Sequence, residues 1–241
     1  MQISAILFDK DGTLFDFRRT WLPILKDVAK TVAHGDPNTA RALILAAGYD
    51  PGADRFVPDG PIAAGNSRDI SAAWKTVLPA RDRHELQQLI DRVSETRGPA
   101  SAVPVCDLTA LLNELSELGI AVGLATSDSE TGARKTLDRF RITDRFQWIS
   151  GYDSGVGVKP DPAVVYAFGK HISQPPQEIA VVGDTLHDLT MGRDAGAAMT
   201  VAVLTGAVPR HVLTLTADEV LDSVAELPDL IRAVRRTHRN P

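Results

Sequence analysis

The chain has 241 residues, 44% of them hydrophobic, which is enough to bury a full core and too apolar for a disordered segment. Its 26 basic and 31 acidic side chains give a formal charge of −5, which argues against a broad nucleic-acid surface and leaves any compact anionic ligand dependent on local cations. Cys106 is the only cysteine, so no intrachain disulfide can form and a reducing, cytoplasmic setting is expected.

The first apolar run, 3–8, follows no basic segment and ends at once in Asp9 and Asp11, so it reads as a strand and not as a signal peptide. No apolar run approaches the roughly 18 residues that a membrane helix requires, and no membrane association is expected. Four amphipathic helices are then predicted at 21–33, 37–47, 67–77 and 83–96, with a Gly/Pro/Asp-rich connection at 48–65 and almost no strand signal. Gly98-Pro99 marks the expected return hinge. Beyond it, short branched runs at 120–125, 147–150, 179–183 and 200–204 alternate with helical patterns at 106–118, 130–140, 162–171 and 186–195. This order is that of a doubly wound parallel sheet of α/β class, interrupted after its first strand by a helical insertion. No internal repeat is visible, and the basic stretch 232–239 reads as the solvated end of a last helix, where cations oppose the dipole.

The chemistry-bearing residues cluster after the predicted strands. Asp9-Lys10-Asp11-Gly12-Thr13-Leu14 follows the first; strand alternation sets Asp9 and Asp11 on one side and Lys10 on the other. Two neighbouring carboxylates repel unless a cation or proton intervenes, although an Asp-Gly turn is the structural alternative. A second acidic pair, Asp184 and Asp188, follows the strand at 179–183 and falls on one face if a helical turn begins there; Asp184 as a plain N-cap is the other reading. In a parallel sheet these carboxyl ends share one edge, and an oxygen-rich set without imidazole or thiolate spacing suits Mg²⁺ and disfavours zinc. The six histidines are scattered, and His187 reads as a supporting or exposed residue. Thr126 and Ser127 end the strand at 120–125 and present hydroxyls to the same edge, with Ser127 and Glu130 also spelling a capping box. Lys159 precedes Pro160-Asp161-Pro162, an extended segment leading into an N-cap and helix start; it is either a cation for the active edge or a solvated loop lysine. The Gly-rich run 151–157 fits neither a dinucleotide fingerprint nor a P-loop.

Taken together, Asp9 to Thr13, Thr126, Lys159 and Asp184/Asp188 resemble, in order and spacing across essentially the whole chain, the four motifs of the haloacid dehalogenase superfamily. The flanking text, from Phe8 to Leu14 and from Gly155 to Pro162, is similar to its phosphoglycolate-phosphatase-like branch. The resemblance implies a Rossmann-like core from 1–15 and 99–241, with an all-helical cap at 16–98 closing over substrate. It further implies that Asp9 is the nucleophile, forming an aspartyl-phosphate, and that Asp11 protonates the leaving alcohol and then activates water. By the same resemblance, Asp9, Asp184 and the backbone carbonyl of Asp11 hold Mg²⁺, with Asp188 ligating or ordering its water, while Thr126, Ser127 and Lys159 hold phosphoryl oxygens.

The expected activity is hydrolysis of a small-molecule phosphate monoester, with 2-phosphoglycolate as the specific guess. Arg18, Arg19 and Arg68 are the cap arginines able to meet a substrate carboxylate. Asp11 separates this pattern from true dehalogenases, and the absence of membrane spans separates it from transport ATPases. A sugar phosphomutase is the runner-up enzyme, and a receiver-like regulatory module is the alternative from another class. The sequence leaves monomer and homodimer equally open.

Overall fold

The computed structural model describes residues 3–237. Strand β1 (Ala5–Phe8) is buried along its whole length. The insertion follows with helices α1 (Phe17–Val32) and α2 (Pro37–Ala46), a small hairpin of β2 (Tyr49–Asp50) and β3 (Arg55–Phe56), then α3 (Ser67–Val77) and α4 (Arg83–Ser101). The chain continues through α5 (Leu108–Glu117), β4 (Ala121–Ala125), α6 (Glu130–Arg139), β5 (Trp148–Ser150), α7 (Ala163–Ile172), β6 (Ile179–Gly183), α8 (Leu186–Asp194) and β7 (Met199–Val203). It closes with the short α9 (Arg210–Leu213), β8 (Glu219–Leu221) and α10 (Leu227–Thr237).

Six strands form one parallel sheet in the order β5-β4-β1-β6-β7-β8, covered by helices on both faces, which is a Rossmann-like doubly wound fold. The continuous apolar strands are what such double coverage demands. Ile6, Phe8, Val122 and Val182 pack on one face with Leu111, Leu115 and Leu137, while Leu7 and Val181 pack on the other with Val165, Phe168 and Met191. The insertion has its own apolar cluster around Leu25, Val28, Leu43, Trp74 and Leu86.

Three expectations change. The inserted segment is helical apart from β2–β3, where Tyr49 and Phe56 pair across the hairpin with ring centroids 4.9 Å apart. Cross-strand aromatic packing stabilises a turn region that composition alone presents as loop. Gly98-Pro99 does not interrupt the chain: both residues lie inside α4, Gly98 is buried, and the amide of Ala102 closes the last turn on Gly98 O at 2.9 Å. A proline so near a helix end forfeits its own amide donor yet lets the last turn close. The sheet also gains β8, a half-exposed edge strand whose three residues carry no alternation to read.

The helical insertion docks on the core through α4 against α6 and through Tyr152, whose hydroxyl bonds with Ser67 and Asp91. At the far end of the chain, Arg232 pairs with Glu114 and Asp229, and Arg235 donates to the carbonyls of Leu118 and Ile3, so these cations fasten α10 to the core as well as facing its dipole. Residues 238 and 239 of the basic stretch lie outside the described residues. Among the described residues, no helix is long and apolar enough to cross a membrane.

Candidate active site

Central β1 has Phe8 level with Leu124 of β4 on one side and Val182 of β6 on the other. The residues leaving these strands, Asp9, Thr126 and Asp184, therefore share the carboxyl edge of the sheet, where open α/β sheets bind ligands. Asp9 is anchored by its amide, which donates to Val182 O at 2.8 Å. The turn after it needs glycine: Gly12 has φ +92°, and a Cβ there would lie 2.3 Å from Asp184 Oδ2. Gly206, arriving after β7, is tighter still, since its Cβ would lie 1.7 Å from Asp184 Oδ2. Backbone from two loops thus clasps the Asp184 carboxylate.

Ligand oxygens of Asp9, Asp184 and Asp188 lie within 4.8 Å of one another, and all three residues are buried. Asp188 is fixed by the cap of α8: Thr185, not Asp184, is the N-cap, and Asp188 Oδ2 accepts from the Thr185 amide at 3.1 Å and hydroxyl at 2.6 Å. Lys159 is no solvated loop lysine. Its side chain is 4% exposed, and its Nζ donates to Asp9 Oδ1 at 2.5 Å and Asp188 Oδ1 at 2.6 Å. Burial alone would pull this ammonium down, but Asp188 and Asp9 outweigh it and hold the pKa above its ordinary value. Burial pushes the Asp9 carboxyl up to about 7, with Lys159 opposing and Asp188 adding to the rise. Asp184 is raised well above the ordinary carboxylate range, by burial first and then by Asp9 and Asp188.

Beside this group stands a second one. Lys10 does not point away from Asp11, as alternation suggests, because β1 ends at Phe8 and the backbone turns. Its fully buried Nζ lies 2.9 Å from Asp11 Oδ2 and 2.7 Å from Asp128 Oδ2. Asp128 has no forerunner among the expected residues; the available signal is its position two residues past Thr126, at the same strand end. Among the described residues, the buried oxygens Asp11 Oδ1 and Asp9 Oδ2 accept no hydrogen bond. Burial raises the Asp11 carboxyl, with Lys10 opposing and Asp128 reinforcing.

Asp9, Asp11, Thr126, Ser127, Lys159 and Asp188 all line one cavity of about 70 Å³, so all but one of the expected core residues meet there. Asp184 is not part of its lining but lies in the carboxylate cluster with Asp9 and Asp188. Thr126 Oγ1 accepts from the Asp128 amide at 3.1 Å. Ser127 forms no capping box: Ser129 caps α6, accepting from the Gly132 amide, because the helix starts two residues later than that reading requires. None of the three cap arginines lines this cavity. Arg18 pairs with Asp54 at 2.6 Å, Arg19 is exposed, and Arg68 is exposed with its guanidinium 5.2 Å from the centroid of the Tyr152 ring.

The donor set fits a divalent cation. Three buried carboxylates facing a single ammonium leave two negative charges uncompensated when all are ionised, and Asp9 Oδ2 has no other partner. Hard oxygen donors with no sulfur or imidazole are those of Mg²⁺ and its relatives.

A family model described as haloacid dehalogenase-like hydrolase matches residues 3–196. The chain belongs to the haloacid dehalogenase-like hydrolases. Among curated members, an N-acetylmuramic acid 6-phosphate phosphatase of Pseudomonas aeruginosa is 28% identical over 238 residues, covering 96% of this chain and 96% of its own. A phosphoglycolate phosphatase of Vibrio vulnificus is 28% identical over 232 residues, covering 95% of this chain and 96% of its own. Of solved structures, a haloacid dehalogenase-like family protein from Streptococcus pneumoniae superposes with a TM-score of 0.69 at 20% identity, covering 93% of this chain and 96% of that one, a likeness of fold.

Proposed function

We propose that this hydrolase is a Mg²⁺-dependent phosphatase that cleaves small phosphate monoesters through a phosphorylated Asp9. The observation that carries this reading is the pair of unpartnered, buried carboxylate oxygens, Asp9 Oδ2 and Asp11 Oδ1, on residues lining one cavity. One is suited to attack phosphorus and the other to move a proton.

In the first half-reaction an Asp9 oxygen bonds to phosphorus while the bond from phosphorus to the ester oxygen breaks. Asp11, whose burial favours the protonated form, gives its proton to the departing alkoxide. In the second half-reaction Asp11, now a carboxylate, takes a proton from water as the hydroxyl adds to phosphorus. The phosphorus bond to Asp9 then breaks, releasing inorganic phosphate and restoring both carboxyls. Lys159, whose ammonium stays charged between Asp9 and Asp188, offsets phosphoryl charge; Thr126 and Ser127 supply hydroxyls for its oxygens. Asp9, Asp184 and Asp188 would hold Mg²⁺, which when bound lets an anionic nucleophile meet an anionic ester.

The two curated relatives are named for different esters, so they support the reaction class more than any one alcohol. 2-Phosphoglycolate is the first ester to assay. The test is inorganic phosphate release from a panel of monoesters with Mg²⁺, with EDTA, and with Asp9→Asn. Metal-dependent release that the variant loses supports the reading; isomerised sugar phosphate without release would point to a mutase instead.

A further inference from the structure

The side chains around the leaving-group end of the cavity carry information about the alcohol. Opposite Asp9 the cavity is walled by the insertion, with Trp21, Ile70 and Ile90 giving apolar surface and Ser67, Asp91 and Ser94 giving polar groups. Two of these polar groups, Ser67 and Asp91, are linked through the core. Tyr152 of the core donates its hydroxyl to Asp91 Oδ1 at 3.0 Å and accepts from the Ser67 hydroxyl at 3.0 Å. A second cavity, of about 420 Å³, shares Asn66, Thr126, Ser127, Tyr152 and Lys159 with the first. Its additional ionisable groups are Asp59, Asp69 and His187.

Among the described residues, Lys159 is the only lysine or arginine lining either cavity, and both its short contacts go to Asp9 and Asp188. Asp91 in the first cavity and Asp59 and Asp69 in the second meanwhile add negative charge. A carboxylate next to the ester would enter this surround desolvated and facing like charges, and the exposed Arg68, whose guanidinium lies 5.2 Å from the Tyr152 ring centroid, lines neither cavity. Hydroxyl groups would find both what they need, an acceptor in Asp91 and hydroxyl partners in Ser67 and Tyr152. The larger space also exceeds what a two-carbon alcohol fills.

Resting on the phosphatase reading above, we infer that the substrate is the phosphate monoester of an uncharged polyol or sugar, with hydroxyls and no carboxylate on the carbons nearest the ester, and that Asp91 enforces this choice. The preference acts through both hydrogen bonding and charge, so it appears in kcat/KM between substrates matched in size.

The experiment compares sn-glycerol 3-phosphate with 3-phosphoglycerate, and 2-hydroxyethyl phosphate with 2-phosphoglycolate, for the wild type and Asp91→Asn in Mg²⁺. Glucose 6-phosphate reports on size and p-nitrophenyl phosphate on phosphatase competence. In each matched pair the hydroxylated ester should lead by at least about tenfold in kcat/KM, and Asp91→Asn should shrink that ratio several-fold. A ratio between two substrates is unaffected by loss of folded enzyme, so a merely structural role for Asp91 would leave it unchanged. Equal or better turnover of the carboxylated esters overturns the inference, as does an unchanged ratio in Asp91→Asn for the role of that residue. Hydrolysis of p-nitrophenyl phosphate with neither ester class turned over also overturns it, whereas failure on every compound, p-nitrophenyl phosphate included, removes the phosphatase reading beneath it.

Discussion

Lys159 donates to Asp9 across 150 positions of sequence, at 2.5 Å, and the same ammonium reaches Asp188 at 2.6 Å. This one cation offsets part of the charge of three carboxylates buried together, and breaking a buried ion pair on one side leaves the remaining charge with no compensation. Lys159→Met should abolish turnover and lower the stability of the metal-free protein at neutral pH by about 3–5 kcal/mol. Added Mg²⁺ or acid should restore much of that loss, and thermal unfolding with and without EDTA measures it.

Protonation of the same cluster gives a pH dependence with a definite sign. Burial raises Asp9 from 3.8 to about 7 and raises Asp184 in the same direction. Between those values the folded chain binds more protons than the unfolded chain, so the contribution of these groups to stability falls as pH rises from about 4 to 7. A cation competes with those protons. Mg²⁺ should therefore raise the melting temperature little at pH 5 and clearly more at pH 8, read by calorimetry of the same preparation in both buffers.

Gly206 tests the clasp around Asp184. A methyl at this position would overlap Asp184 Oδ2 at 1.7 Å, so Gly206→Ala must displace the carboxylate. Metal affinity should fall at least about tenfold, as for other disturbances at the edge of a metal site. Calorimetric titration with Mg²⁺ measures this, and an unchanged circular dichroism spectrum shows that the fold persists.

Asp128 shares Lys10 with Asp11 and, by its charge, helps keep the Asp11 carboxyl raised. In Asp128→Ala that repulsion is gone and Lys10 is left to Asp11 alone, so Asp11 becomes a stronger acid and is ionised over more of the pH range. The basic limb of the kcat profile should move to lower pH, with a loss of about tenfold at neutral pH, the effect of roughly one pKa unit. A pH profile with its basic limb unmoved would contradict this role.

Much of the fold and of the candidate site was legible because parallel strands are read from short branched runs, and their carboxyl ends must adjoin. Asp9, Thr126 and Asp184 needed no more than that. Lys159 and Asp188 were legible as candidates, but their mutual contact depends on how the loop after β5 turns back, which no local pattern encodes. Lys10 was misread because alternation stops with the strand, and Asp128 was overlooked because its meaning comes from Lys10. The partners of Arg18 and Arg68, Asp54 and the Tyr152 ring, arise from tertiary packing, which no local pattern encodes.

The most direct measurement is the covalent state of Asp9 during turnover. Protein mixed with substrate and Mg²⁺, quenched in acid within the first turnover and digested, should yield the Asp9 peptide carrying one phosphoryl group by mass spectrometry; Asp9→Asn should yield none and release no phosphate. Sustained phosphate release with an unmodified Asp9 peptide, or wild-type turnover by Asp9→Asn, would contradict the assignment of Asp9 as the nucleophile.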